Sequence, residues 1–359
     1  MRPVPRVLSV AVAGALAFAA CGTGTDSDAP PTPSPTAPAA TTAPTGEPTL
    51  SGTVTIYSGR SESLVGPLID RFRSESGLDV QVNYGATTDL AATILEEGDV
   101  SPADVFFAQD AGALGALARE DRLTVLPADT LGLVDPRFAA DGGTWVGVSG
   151  RARVVVYDTR TLSESDLPTS IGAFTDPAWK GRLVWAPTNA SFQSFVTAYR
   201  VLRGDDAARA WLEGIRANEP KAYEGNDAVL AAVAAGEIEV GFINHYYLMR
   251  QLAEQGDGFP VLNHFLAGDD PGSLINVAGA GILTTAANPA AAQAFVDFLL
   301  TPESQAYFAE QTHEYPLIDG VAANPVLPPL ADIDSPDIDL TDLADLDGTL
   351  RLLQEAGVL

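Results

Sequence analysis

From Leu50 onward the chain alternates short β-rich runs with apolar residues at helical spacing, and this alternation limits the fold more than any other feature. Val54-Thr55-Ile56-Tyr57 reads as a strand, and Leu64, Val65, Leu68, Ile69 and Phe72 then mark one face of a helix that stops at Gly77. Val80 to Tyr84 is a second strand, Leu90, Ile94 and Leu95 mark a second helix, and Ala103 to Phe107 is a third strand. The pattern predicts an α/β fold with a largely parallel sheet covered by helices. Ligands of such sheets sit beyond the carboxyl ends of the strands, which singles out the turns Ser58–Glu62 and Ala108–Asp110. Polar turn residues with no ligand are the plainer explanation of either loop.

A second unit is expected after Trp145-Val146-Gly147-Val148, with a strand at Arg153–Tyr157. Val184 to Ser191 then leads into a helix whose apolar positions are Phe192, Phe195, Val196, Tyr199 and Leu202. Thr188, Asn189 and Ser191 stand where free backbone N–H groups and the helix dipole favour an anion. Simple N-capping by Asn or Ser is the plainer explanation of them on this pattern alone. Further on come a helix near Ala228–Ala235, a strand at Ile238–Ile243, a strand-like Val277–Leu283 and a helix at Pro289–Leu300. Seven aspartates between Asp332 and Asp347 precede or open a last helix carrying Leu343, Leu346, Leu350 and Leu353. Acidic residues favour a helix start and the spacing is not that of a calcium loop, so they read as structural.

The N-terminus reads as an address. Arg2 and Arg6 precede an apolar run from Val7 to Phe18, and Ala19-Ala20 lead to Cys21, so residues 1–20 are a secretory signal. Cys21 stands where lipid attachment takes place, although Phe18 replaces the usual Leu three residues before it. Residues 21–49, rich in Pro, Thr and Ala, are too poor in large apolar residues to fold and serve as a tether. These features place the folded part outside the cell membrane, held to it by a lipid anchor alone.

Twenty Lys and Arg against 47 Asp and Glu give a formal charge of −27, which argues against a nucleic-acid partner. One Cys excludes an internal disulfide and any Cys-based zinc or iron–sulfur site. The chain has three histidines, no Gly-x-Ser-x-Gly elbow, no Walker loop and no dinucleotide fingerprint. Binding without catalysis is the better class, and a secreted hydrolase using Asp or Glu ranks third.

Tyr246-Tyr247, just after a buried strand, is the unusual local feature. In a continuing strand the two rings would face opposite ways, whereas at a strand-to-helix transition their oxygens can converge. Two phenolic oxygens suit a small, highly charged, hard cation. A phenol titrates near ~10, so binding at neutral pH requires the metal to displace the proton, as Fe(III) does. Two interior tyrosines with hydrogen-bonded hydroxyls are the plainer alternative.

With these residues in view the chain resembles the ferric-iron-binding lipoproteins of bacterial ABC importers, a branch of the extracellular solute-binding proteins. The likeness covers Leu50 to Leu359 and rests on Val54–Glu62, Ser101–Phe107, Trp179-Lys180-Gly181-Arg182, Asn244-His245-Tyr246-Tyr247 and Glu314-Tyr315-Pro316. It implies a two-lobed periplasmic-binding-protein fold of type II with crossover strands, lobe 1 being 50–147 plus 275–359 and lobe 2 148–274. It also implies Fe(III) as cargo on Tyr246 and Tyr247, with a synergistic phosphate or carbonate near Asn189, Ala190, Ser191, Asn226, Asn244 and Arg60. Ser61 and Gln109 replace a histidine and a glutamate ligand of some members, which leaves Glu62, Gln109, water or the anion to complete the shell. Two phenolates and a divalent anion bring −4 against +3, an excess for Arg60 to offset. The implied partners are a permease and its ATPase, and the protein is expected to be a monomer. The runner-up cargo is thiamine, a polyamine or a phosphonate-like anion, for which tryptophans would have to surround the ligand.

Overall fold

The computed structural model describes residues 50–256 and 258–359. The signal, Cys21 and the tether lie outside the described residues. Nine strands occur among the latter: β1 Thr53–Ser58, β2 Asp79–Tyr84, β3 Val105–Ala108, β4 Val146–Asp158, β5 Leu183–Trp185, β6 Lys221–Ala222, β7 Val240–Asn244, β8 Val261–His264 and β9 Ile275–Ile282. Their order is β2-β1-β3-β9-β4-β7-β5-β6, with β8 also on β4.

The six helices that apolar spacing marks all form, joined by others such as Ala111–Arg119 and Asp205–Ala217 that it does not mark. Glu62–Ser76 buries Val65, Leu68, Ile69 and Phe72, and Gly77 ends it with φ 69°, a left-handed conformation suited to glycine. Phe72 meets Phe295 edge-on, with ring centroids 5.1 Å apart. The flanks of the sheet are parallel, β2 and β3 on β1 and β6 and β7 on β5. The centre departs from the largely parallel sheet expected, because β3–β9, β4–β9, β4–β7 and β4–β8 are all antiparallel. Crossover helices supply parallel neighbours only within each flank, while β4 and β9 run between the flanks.

A second correction concerns β4. The separate strand expected at Arg153–Tyr157 is part of one buried strand, Val146–Asp158. Ser149, Gly150 and Arg151 resemble a break in the sequence, yet each is held in place. Ser149 donates to Glu314, Gly150 exchanges two backbone bonds with Tyr315, and Arg151 donates to the Val277 carbonyl. The ladders change hands along this strand: Ala152 pairs with Ile275 of β9, and Arg153 pairs with Asn244 of β7.

Two apolar clusters pack on the sheet, and the larger reaches across the handover to Val154, Val184, Val229 and Ile243. The first gathers Val54, Phe106, Phe107, Leu114, Val277 and Phe295, and the second Val155, Phe174, Trp185, Phe192, Trp211 and Phe242. Leu352 and Leu353 of the last helix, Leu346–Glu355, and Ala356 just after it belong to the second. The aspartates before that helix act locally, Asp339 accepting from the Thr341 N–H and Asp345 from the Gly348 N–H. Among the described residues no helix is long and apolar enough to cross a membrane.

Candidate metal and anion site at the strand handover

β7 ends at Asn244, His245 turns the chain, and a helix starts at once at Tyr246 and runs to Gln255. The abrupt change from strand to helix brings the rings of Tyr246 and Tyr247 face to face, with centroids 4.3 Å apart and planes 28° from parallel. Burial pushes the Tyr246 phenol well above its ordinary value of 10.0, and the neighbouring Tyr247 adds to this against the pull of Arg151 and Arg60. Tyr246 therefore stays protonated at neutral pH unless a cation takes the place of its proton.

Three arginines are buried around the pair: Arg60, Arg151 and Arg153. Arg60 grips Glu314 with both terminal nitrogens, at 2.9 and 2.8 Å, and Glu314 also accepts from Ser149 at 2.8 Å and Thr312 at 3.1 Å. Burial pushes the Glu314 carboxyl up, but Arg60, Arg151 and these hydrogen bonds outweigh it and hold the carboxyl below its ordinary range. Neither Arg151 nor Arg153 forms a salt bridge among the described residues. Arg151 donates to the carbonyls of Gln109 and Val277, while its Nε and one terminal nitrogen are buried without a partner. Arg153 donates to the Phe242 carbonyl at 3.2 Å and lies over the rings of Phe192 and Phe195. Burial lowers its guanidinium to about 9, with Tyr247 pulling the other way.

The residues expected to hold an anion converge on Ser191. Its hydroxyl donates to Asn189 Oδ1 at 2.6 Å and accepts from Asn226 Nδ2 at 3.1 Å and Arg153 at 3.5 Å. Asn244 Oδ1 takes a second bond from Arg153 at 3.4 Å. Asn189 also caps the helix Ala190–Arg203, so capping and site-building fall on the same residue. Asn226 Oδ1 is buried without a partner.

The structure does not gather every residue named from the sequence. Glu62 is exposed at the start of its helix, where its charge helps burial to raise Tyr84. Gln109 reaches the site through its backbone, its N–H going to Thr87 and its carbonyl to Arg151. Arg60 has its fork occupied by Glu314, and only its Nε is unpartnered. All four tryptophans are buried in packing, so none of them forms an aromatic cage. Arg151, Arg153 and Glu314 were missed as site residues. Two arginines at i and i+2 inside the otherwise apolar run Ala152–Tyr157 and its flank were the available signal.

Two α/β halves, a strand passing between them and a polar site at the handover define a two-lobed binding protein. The chain belongs to the bacterial extracellular solute-binding proteins, that family matching residues 101–339. It is 37% identical over 308 residues to the major ferric iron-binding protein of Neisseria meningitidis, covering 85% of this chain and 93% of that one. The structure of iron-bound HitA from Pseudomonas aeruginosa superposes with a TM-score of 0.80 at 35% identity, covering 85% of this chain and 99% of that one. A Trichodesmium protein solved with iron and citrate superposes with a TM-score of 0.76 at 29% identity, covering 86% and 100%.

Proposed function

We propose that this protein captures Fe(III) outside the cell membrane and delivers it to the permease and ATPase of an ABC importer. Tyr246 and Tyr247 bind the ion as phenolates. A synergistic anion, phosphate or carbonate, docks on Asn189, Ala190, Ser191, Asn226 and Asn244, with Arg60 at its edge. Glu62 or Gln109 would complete the shell only by a movement of its loop, so the anion and water are the better remaining ligands. The lobes are 50–147 plus 275–359 and 148–274, and a monomer is anchored through Cys21.

The observation that carries this reading is the stacked tyrosine pair beside two buried guanidinium groups. Among the described residues Arg153 has no carboxylate partner and Arg151 no salt bridge, only the longer-range pull of Glu314 and Asp110. Buried charge without a close partner is costly, and incoming negative charge would relieve the Arg153 guanidinium most. Two phenolates and a dianion bring −4 against the ion's +3. With Arg60 already paired to Glu314, the excess falls to Arg151 and Arg153. The iron-binding relatives support the choice of ion.

Ferric loading should produce a visible phenolate-to-iron band that disappears in Tyr246→Phe plus Tyr247→Phe. A colourless loaded protein, or colour that survives both substitutions, refutes the assignment. Affinity should rise with added phosphate or bicarbonate, and equal affinity without either removes the anion from the proposal.

A further inference from the structure

We propose that His245 is a positioning residue, whose two ring nitrogens clasp the β4 handover to the His313–Glu314 segment and so hold Tyr246 in register with the rest of the site. The inference rests on the iron reading for its absorption and iron-release arms only, and the hydrogen-exchange arm is independent of it. His245 is fully buried between the last residue of β7 and the first helical tyrosine. Its Nδ1 accepts the N–H of Ala152 at 3.1 Å, and its Nε2 lies 3.0 Å from the carbonyl oxygen of His313. An amide N–H only donates and a carbonyl only accepts, so the tautomer is fixed, with Nδ1 bare and the proton on Nε2. Both nitrogens are thus taken, which leaves this imidazole no lone pair for a metal despite its place beside the phenols.

The partners give the clasp its meaning. Ala152 is the residue at which β4 passes from β9 to β7, and its carbonyl also accepts the His245 N–H at 3.0 Å. His313 is left-handed, with φ 57°, and leads directly into Glu314, which holds Arg60 at the end of β1. The Tyr315 ring lies 4.8 Å from the imidazole and the Tyr246 ring 6.0 Å from it. One side chain therefore touches the strand shared by both halves, the segment tied to the first half and the helix start that carries the tyrosines. Rotation of one half against the other about β4 must pass through these two hydrogen bonds.

The test compares His245→Asn and His245→Phe in the full chain. The asparagine oxygen can still accept from Ala152, but no atom of it reaches His313, and phenylalanine makes neither bond. The measurements are the ferric absorption maximum, the rate of iron release to citrate, and amide hydrogen exchange of the metal-free protein around Ala152 and His313. The expected result is a shifted band and release about ten-fold faster in His245→Phe, the scale for loss of an outer-shell partner. His245→Asn should fall between it and wild type. Exchange should rise around His313 in both variants and around Ala152 in His245→Phe alone. An unmoved band and release rate, with only the melting temperature lowered, would make His245 a filler and overturn the proposal. If His245→Phe does not fold, the asparagine variant decides by the same band, rate and His313 exchange. If wild type shows no ferric band the iron reading fails, and exchange unchanged in the variants then overturns the clasp independently.

Discussion

Glu314 is fully buried and accepts from Arg60, Ser149 and Thr312, so its negative charge is what makes the buried Arg60 tolerable. Glu314→Gln leaves that guanidinium uncompensated and should cost about 3–5 kcal/mol at neutral pH. The sign with pH follows from the lowered carboxyl: its stabilisation is present above the ordinary Glu value of 4.5 and is lost as pH falls through the folded value. Thermal melts between pH 7 and pH 3 should show wild type losing stability on acidification more steeply than the glutamine variant. Arg153 has the opposite sign. Burial lowers its guanidinium from 12.5 to about 9, so holding the charge costs the metal-free protein stability at pH 7. Arg153→Met should leave the metal-free melting temperature equal or higher while weakening ferric binding by about ten-fold, measured by competition with citrate. The tyrosine pair was legible in the sequence because its members adjoin. The Arg60–Glu314 pair was not, since its members are 254 positions apart and only the folded sheet brings them together.

At the scale of elements, periodicity located six of the helices but not Ala111–Arg119, Asp205–Ala217 or Tyr246–Gln255, and strand ends and directions were harder still to read. The continuity of β4 was hidden because Ser149, Gly150 and Arg151 take partners from β9 and from the Glu314-Tyr315 segment rather than from their own neighbourhood. Close packing of the segment Leu340–Ala344 on the helix Ala111–Arg119 was likewise invisible in the pattern. It depends on two glycines of that helix: a Cβ on Gly112 would lie 2.7 Å from the Leu343 carbonyl oxygen and one on Gly115 2.5 Å from that of Thr341. Both obstacles are backbone, which cannot rotate aside. Gly115→Val should therefore push the C-terminal segment off the helix and cost about 1–3 kcal/mol in urea unfolding. A variant of wild-type stability would show that the segment is loosely seated.

For the whole molecule the question is whether two cores behave as one. β4 runs through both, with its first half on β9 and its second on β7 and β8. The C-terminal segment makes a second tie, its residues Leu340–Ala344 lying on a helix of the first cluster and Leu352 and Leu353 sitting in the second. Arg200 fastens the junction by bonding the Asp345 carboxylate at 2.9 Å and the Thr349 hydroxyl at 3.0 Å. With a shared central strand and a strap across the halves, neither core can lose its packing without stripping partners from the other. Calorimetry should accordingly show one cooperative transition. Leu353→Ala in the second core and Phe295→Ala in the first should each lower that single transition, by about 2–5 kcal/mol for the leucine and about 3–5 for the phenylalanine. Two separated transitions, each moved by only one of the substitutions, would mean that the strand and the strap join the halves without coupling them.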